Sequence, residues 1–527
     1  MKRCCYGWML CVLSFLLVLG GTETVEAASG YYTNAYYAID SYNELGYTAH
    51  ADQVALGWGE IRSKNGNVYF TQEKREGNPV RVSEYGVPTG DVTGLVRRMK
   101  AQNNKLMLSV YLLNSPSTGN MLRTILDSED MQSRIIGDMV NALRTIKAYD
   151  YEAAPNASGE YPGKDVTDAR GKSIGYDGLI IDFEQLFDHY ADRPGISYRD
   201  KFAAFLQKLK DAMPAGKTLS VTIPPKRQPG IAYSDGYDYK RIGATADEVI
   251  LMAHDYQWKD GSIKATAPYD LVKEALDFAV KEIPAEKILL QVSMGPVQWQ
   301  NGVIYRPSYE SMMNALDGKN AGEKVIEVTP GEDRFDPELK VGYAYLKREI
   351  YKEGILQGTV EDEIYYENSL SIAYKQQLAR EYGLKGMSLW RLGMNAKDAT
   401  EQFFRMGETV PGAGSGSKMP DETLYEEIRP SGESTVSGEK EWRITFNAAI
   451  DPRTIDEGIE VWKKEGGTWS ECDITPVLDS KNDKSVLVKM DDGYPKGEYR
   501  LFMKETLAGI NGCELGKGRV MKFTVTN

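Results

Sequence analysis

The chain has 527 residues, too many for one average domain and enough for two or three. Hydrophobic residues make up 42% and charged residues 26%, which excludes wholesale disorder and a multispanning membrane protein. A net charge of -13, from 63 basic and 76 acidic residues, repels nucleic acid and anionic membranes and leaves neutral or cationic partners.

In chain order, residues 1–27 read first, as a secretory signal peptide. Lys2 and Arg3 give a basic start, residues 8–19 an apolar stretch, and Val25, Glu26 and Ala27 a small-residue cleavage pattern. The apolar stretch is short for a membrane span, so an uncleaved anchor is the lesser alternative. The expected location is outside the cell or at its surface, with no integral membrane segment in the mature chain.

From residue 31 onward, short apolar strands alternate with helices. The pattern predicts strands over 34–38, 53–58, 105–111, 178–183, 218–223, 248–254, 288–294 and 386–390. Helices are predicted over 92–102, 131–147, 198–212, 268–282 and 369–382. This is an α/β pattern, and eight such strands imply a closed (β/α)8 TIM barrel over 28–407. An open doubly wound sheet is the competitor, but no glycine-rich dinucleotide loop follows the first strand. Insertions are expected at about 149–173 and 298–361. The second is long enough to be a wall or lid, with strand-like stretches at 324–328 and 341–346.

A Gly-Ala-Gly-Ser-Gly-Ser run at 412–417 marks a linker over 408–430, so the barrel is expected to fold without the C-terminal region. Residues 431–527 switch to short strands between turns, at 442–446, 459–462, 485–490, 498–503 and 520–525. They read as an all-β sandwich that resembles bacterial immunoglobulin-like modules. Trp442, Trp462 and Trp469 suit either its core or a sugar-binding strip, the core being the stronger reading. Cys472 and Cys513, the cysteines left after the signal, either form one disulfide or stay free. Three histidines and no clustered cysteines argue against a structural zinc site, and neither a metal nor a cofactor is expected.

The chemistry concentrates on the fourth strand, in Asp177-Gly178-Leu179-Ile180-Ile181-Asp182-Phe183-Glu184. Alternate strand residues share a face, so Ile180, Asp182 and Glu184 point one way. Two carboxylates then stand together at the carboxyl end of a barrel strand, where such barrels place their active sites. Like charges so close favour one shared proton, held by Glu184 as general acid. Solvated acids at a strand end, or a magnesium ligand pair, are the plainer alternatives.

The octet resembles the Asp-x-x-Asp-x-Asp-x-Glu signature of glycoside hydrolase family 18. The resemblance runs over about 31–400. It includes Met252-Ala253-His254-Asp255, similar to the family's Met-x-Tyr-Asp, and Trp390, similar to the tryptophan under the sugar pocket. Glu363-Ile364-Tyr365-Tyr366-Glu367-Asn368, with Ser371, Ile372, Lys375 and the Leu389–Gly393 stretch, resembles the branch of spore-germination and cortex-lytic N-acetylglucosaminidases. The resemblance implies retaining, substrate-assisted hydrolysis of an N-acetylated oligo- or polysaccharide. Glu184 is then acid and base, and Asp182 orients the acetamide. Asp177, Met252, His254 and Asp255 are taken to contact substrate, with Trp390 stacking beneath the ring and Tyr366 and Glu367 lining the cleft. Peptidoglycan-type glycan is the first substrate choice and chitin the second, with association to the cell wall in keeping with the first.

Two positions depart from the family pattern. Ile180 stands where an aspartate commonly partners the next one, so Asp182 needs another anchor and is expected to keep one orientation. His254 replaces a tyrosine whose hydroxyl helps hold the acetamide. A glycan-binding surface protein with a weak or inactive barrel is the alternative these departures suggest. Tyr outnumbers Phe, 33 to 13, with 8 Trp, a composition suited to sugar platforms. Tyr36, Tyr37, Trp58 and Tyr111 near strand tops, Lys226 at the pocket rim, Gln291 and Met294 near the seventh strand, and Trp258 and Trp299 in loops, are further subsite candidates.

Overall fold

The computed structural model describes residues 31–37, 39–64, 67–71, 92–118, 120–149, 153–154, 161–258, 261–329, 334–405, 419–490 and 492–526. The expected signal peptide over 1–27 and the 412–417 run lie outside these residues. Eight parallel strands form the centre: β1 (Tyr32–Tyr36), β2 (Gln53–Lys64), β3 (Lys105–Leu113), β4 (Gly178–Glu184), β5 (Thr218–Ile223), β6 (Glu248–Leu251), β7 (Ile288–Ser293) and β8 (Gly386–Trp390). β1 pairs with both β2 and β8, so the sheet closes into a barrel. An open sheet is thereby excluded. The near-continuous apolar runs of β3, β4 and β7 follow from burial on both faces.

Local signals explain where the boundaries differ from those the sequence pattern predicts. Ser128 caps the helix Glu129–Ala142 by accepting from the Met131 amide, so this helix starts earlier than expected. β6 stops at Leu251, short of residue 254, because the amides of Ala253 and His254 turn back to carbonyls two residues earlier. β2 runs on past Trp58 and folds back against Asn67–Thr71 as a hairpin.

The closing seam leaves no room for a side chain at Gly386. A Cβ there would lie 1.8 Å from the Tyr32 carbonyl oxygen, and one at Gly178 would lie 2.1 Å from that of Thr218. Gly386→Ala is expected to cost about 1–3 kcal/mol through the backbone shift it forces. A thermal melt tests this, and an unchanged midpoint would mean that the seam opens freely.

Side chains fill the barrel interior in layers. Tyr36, Ala55, Met107, Ile180, Ile250 and Leu289 form an apolar cluster, with Trp390 packed against it. Beside it runs a ladder of buried polar groups set by strand register, since Asn34 lies opposite Gln53 and Ser388, and Ser388 opposite Gln291. Tyr32 donates to Gln53 Oε1 (3.1 Å), Gln53 to Asn34 Oδ1 (3.2 Å), and Asn34 to Ser388 Oγ (2.8 Å). Gln291 Nε2 reaches the same Ser388 oxygen at 3.4 Å.

The insertion before β8 is a sheet of its own. Its path runs Val303–Tyr305, Val297–Gln300, Ile355–Tyr366, Val341–Lys352 and Glu323–Thr329, with Phe335–Asp336 beside Val341–Lys352. Buried Arg348 ties it together by pairing with both Asp362 and Glu323. Among the described residues of the first insertion, Lys147–Tyr149 and Gly163–Asp165 pair as a two-stranded ribbon.

The C-terminal region is all-β, with a six-stranded and a three-stranded sheet. Trp442 and Trp462 are 1% exposed, so both belong to its core and not to a sugar-binding strip. Trp469 is half-buried, with the Arg500 guanidinium 4.7 Å above its ring. The disulfide alternative is corrected, because Cys472 and Cys513 are both free. Each is fixed by its own backbone bond, Cys472 to the Val461 carbonyl and exposed Cys513 to Asn511 Oδ1. Burial pushes the Cys472 thiol up to about 11.

One compact unit comprises Tyr31–Ile372 and Tyr382–Gly407, while Ala373–Glu381 groups with Glu408–Asn527. Within the second unit the Leu478 amide donates to Gln377 Oε1 (3.0 Å), and Ser480 donates twice to the Glu381 carboxylate. Arg380 pairs with Asp456. A chain ending at residue 407 loses all these partners, which the 412–417 run gave no reason to expect. It should melt below the full chain in a thermal scan, and equal midpoints would refute this dependence.

Candidate active site

Asp182 and Glu184 end β4 with their side chains on the interior face. Asp182 is 6% exposed, whereas Glu184 is half-buried at the mouth. The chain then turns sharply at Gln185, whose φ of 60° is left-handed. Tyr237 clamps this turn, its hydroxyl donating to the Phe183 carbonyl (2.7 Å) and accepting from the Leu186 amide (3.4 Å). The Asn114 amide holds the Glu184 carbonyl at 3.0 Å. Gly236 permits this approach, since a Cβ there would lie 2.3 Å from the Leu186 oxygen. The strand end is fixed from three sides.

Three phenols feel the two carboxylates. Burial, and then the charge of Asp182, raises the Tyr36 hydroxyl well above the usual phenol range. Burial, with Glu184 and Asp182 adding, does the same to Tyr111, and burial dominates again at Tyr237. All three stay neutral. Asp182 Oδ1 accepts from the Thr222 hydroxyl on β5 at 2.7 Å, and both side chains are buried.

The loop after β6 brings His254 and Asp255 to the same end of the barrel. His254 Nε2 lies 2.8 Å from Gln291 Oε1, and Nδ1 lies 3.2 Å from Asp255 Oδ2. Both ring nitrogens face protein oxygens, so the histidine is built into the wall. Asp255, itself at a φ of 60°, accepts from Arg306 (3.0 Å) and Gln257 (3.2 Å) through Oδ1. Trp390 meets the Tyr36 ring edge-on at 5.1 Å, its carbonyl accepts from the Met294 amide, and its bond to Arg391 is cis.

Other residues expected at the site are spread more widely. Asp177 is not brought to this end, because it begins the strand and bonds the Leu106 amide (2.8 Å) and Lys100 at the barrel's other rim. The structure therefore corrects its assignment to substrate. Tyr36, and not Tyr37, joins the interior cluster, although Tyr37 is buried too. Met252 is half-buried just beyond β6. Trp299 lies in a strand and not in a loop, donating to the Lys264 carbonyl (2.9 Å) and packing on Ala265, Val341 and Tyr365. Trp58 lies in β2 opposite Ser109, and Trp258 ends a short 3-10 turn, but their side chains fall outside the described residues. Tyr366 is buried, donating to the Arg334 carbonyl (3.4 Å), and Glu367 accepts from the Ser371 hydroxyl (2.6 Å).

Thr222, Tyr237 and Arg306 were not among the residues expected at the site. Only Thr222 left a local signal, since Thr218, Ser220 and Thr222 are the polar alternates of the strand and Leu219, Val221 and Ile223 the apolar ones. Among the described residues no cluster of three or more His, Cys, Asp or Glu is arranged to hold a metal. No helix among them is long and apolar enough to cross a membrane.

A family model described as glycosyl hydrolases family 18 matches residues 28–395. The chain is 26% identical over 199 residues to the cortical fragment-lytic enzyme of Bacillus anthracis, covering 37% of this chain and 43% of that one. It is 23% identical over 315 residues to the cortical fragment-lytic enzyme of Bacillus subtilis (strain 168), covering 58% and 60%. The chain spans about half the length of the curated relatives it matches. Among solved structures, it resembles the Bacillus cereus spore cortex-lytic enzyme SleL with a TM-score of 0.51 and 18% identity, over 75% of this chain and 79% of that one.

Proposed function

The chain belongs to glycosyl hydrolase family 18, and we propose that it is an exported hydrolase of glycans containing β-linked N-acetylglucosamine. The observation that carries this reading is the Asp182–Glu184 pair at the mouth of the barrel, above an interior shared by Trp390 and Tyr36. Glu184 protonates the leaving oxygen while the substrate's acetamide carbonyl attacks the anomeric carbon. Asp182 accepts from the acetamide N–H and stabilises the positive charge that develops there. Glu184, now a carboxylate, takes a proton from the water that opens the cyclic intermediate. Configuration is retained.

Peptidoglycan of the spore-cortex type is the favoured substrate, supported by the names of the Bacillus relatives, and chitin is second. The signal-like start supports secretion, and cell-wall association fits a peptidoglycan substrate. The all-β C-terminal region fits an immunoglobulin-like accessory module. A second reading, a barrel that binds glycan without cleaving it, draws support from His254, whose ring nitrogens are turned to Gln291 and Asp255 and not to the cleft.

Mass spectrometry after incubation with peptidoglycan, cortex glycan and chitin oligosaccharides separates the readings. New reducing ends, lost on adding a sugar-oxazoline inhibitor, are expected from the first. Tight binding without turnover of any of the three would establish the second.

A further inference from the structure

On its own strand, the residue beneath Asp182 offers its carboxylate nothing. Ile180 is fully buried among Tyr36, Ala55, Met107, Ile250 and Leu289, and an isoleucine has no hydrogen to donate. A carboxylate this deeply buried must find a donor or lose much of its advantage as an anion. The inward alternation of β5 supplies one from the neighbouring strand. Ile181 of β4 lies opposite Val221 of β5, so Thr222, the next residue, comes level with Asp182. Its hydroxyl has one hydrogen and two acceptors in reach, Asp182 Oδ1 at 2.7 Å and the Ile181 carbonyl at 3.3 Å. The charged and nearer oxygen wins.

From this we infer that Thr222 is a positioning residue for the reaction, doing from β5 what a carboxylate at position 180 would do from β4. The inference rests on the assignment of Asp182 and Glu184 made above. A threonine donor differs from an acid partner in one chemical respect. It holds Asp182 by donating a hydrogen bond, without offering to share a proton. The side chain is aimed by this contact. Nothing of Thr222 itself touches the reacting atoms.

The test is kinetic and uses the full chain. Thr222→Val keeps the side-chain shape and removes the donor. It should lower kcat on the glycan that proves to be cleaved by roughly 10- to 100-fold, with KM changed far less, as loss of a bond to a charged group implies. Thr222→Ser restores the hydroxyl and should recover most of kcat. In an Asp182→Ala background, assayed on an aryl N-acetylglucosaminide, Thr222→Val should cost almost nothing further, because the contact it removes is already gone. A Thr222→Val enzyme that melts like the parent and keeps kcat within twofold would overturn the inference. So would equal losses with and without Asp182, or a serine variant as slow as the valine one. If valine does not fold, Thr222→Ala against Thr222→Ser makes the same comparison. Glu184→Gln is the control for the underlying assignment. If it retains full activity the assignment fails, whereas an inactive Glu184→Gln beside a normal Thr222→Val sinks only the role given to Thr222.

Discussion

Glu184→Gln should slow hydrolysis of a natural N-acetylated glycan by roughly 10²–10⁴-fold while leaving binding largely intact. The change is nearly isosteric, and the strand end that presents the residue is held by Tyr237, Asn114 and the turn at Gln185. The amide should therefore occupy the place of the acid. What disappears is the proton for the leaving oxygen and the base that later activates water. Steady-state rates on oligosaccharides, paired with calorimetric affinities, check both halves of the expectation. An aryl glycoside with a good leaving group needs little protonation and would understate the loss. Near-native turnover of the natural glycan would show that Glu184 is not the acid.

Asp182→Asn should cost a comparable factor for a different reason. The variant keeps a carbonyl oxygen that can accept from Thr222, so the side chain can stay where it is. The negative charge is gone. In a site this buried, a fixed charge next to the developing cation is worth far more than in water, and a neutral amide cannot replace it. The expected signature is a fall in kcat with a modest change in KM, in rates corrected for the folded fraction by circular dichroism. An Asp182→Asn enzyme as fast as the parent would remove the electrostatic role assigned to this aspartate.

Much of this site was legible because it lies along one strand. The alternation from Ile180 to Glu184, the apolar runs of the barrel strands and the position of Trp390 are local facts, and local facts survive folding. Asp177 shows where the same logic misleads. It belongs to the same octet, but a strand has two ends, and this residue marks the one away from the chemistry. The partners of the acids were harder to see. Thr222 meets Asp182 through a register between strands 40 residues apart, and Arg306 reaches Asp255 from an insertion. No periodicity within a segment encodes either contact. The same holds for residues 373–381, whose helix was legible but whose companions lie about a hundred residues further along.

The ladder inside the barrel has a direction. Each amide in it gives one hydrogen bond and receives one, beginning at the Tyr32 hydroxyl, which burial keeps protonated. Reversing Gln53 alone would set its oxygen against that of Asn34, so the rungs can turn only as a set. At the far end Gln291 meets Ser388 Oγ through Nε2 and His254 Nε2 through Oε1. The polar path thus runs from a phenol at one rim of the barrel to an imidazole at the other. Its continuity is a property of four neighbouring strands, β2, β1, β8 and β7, and it is inherited from their register.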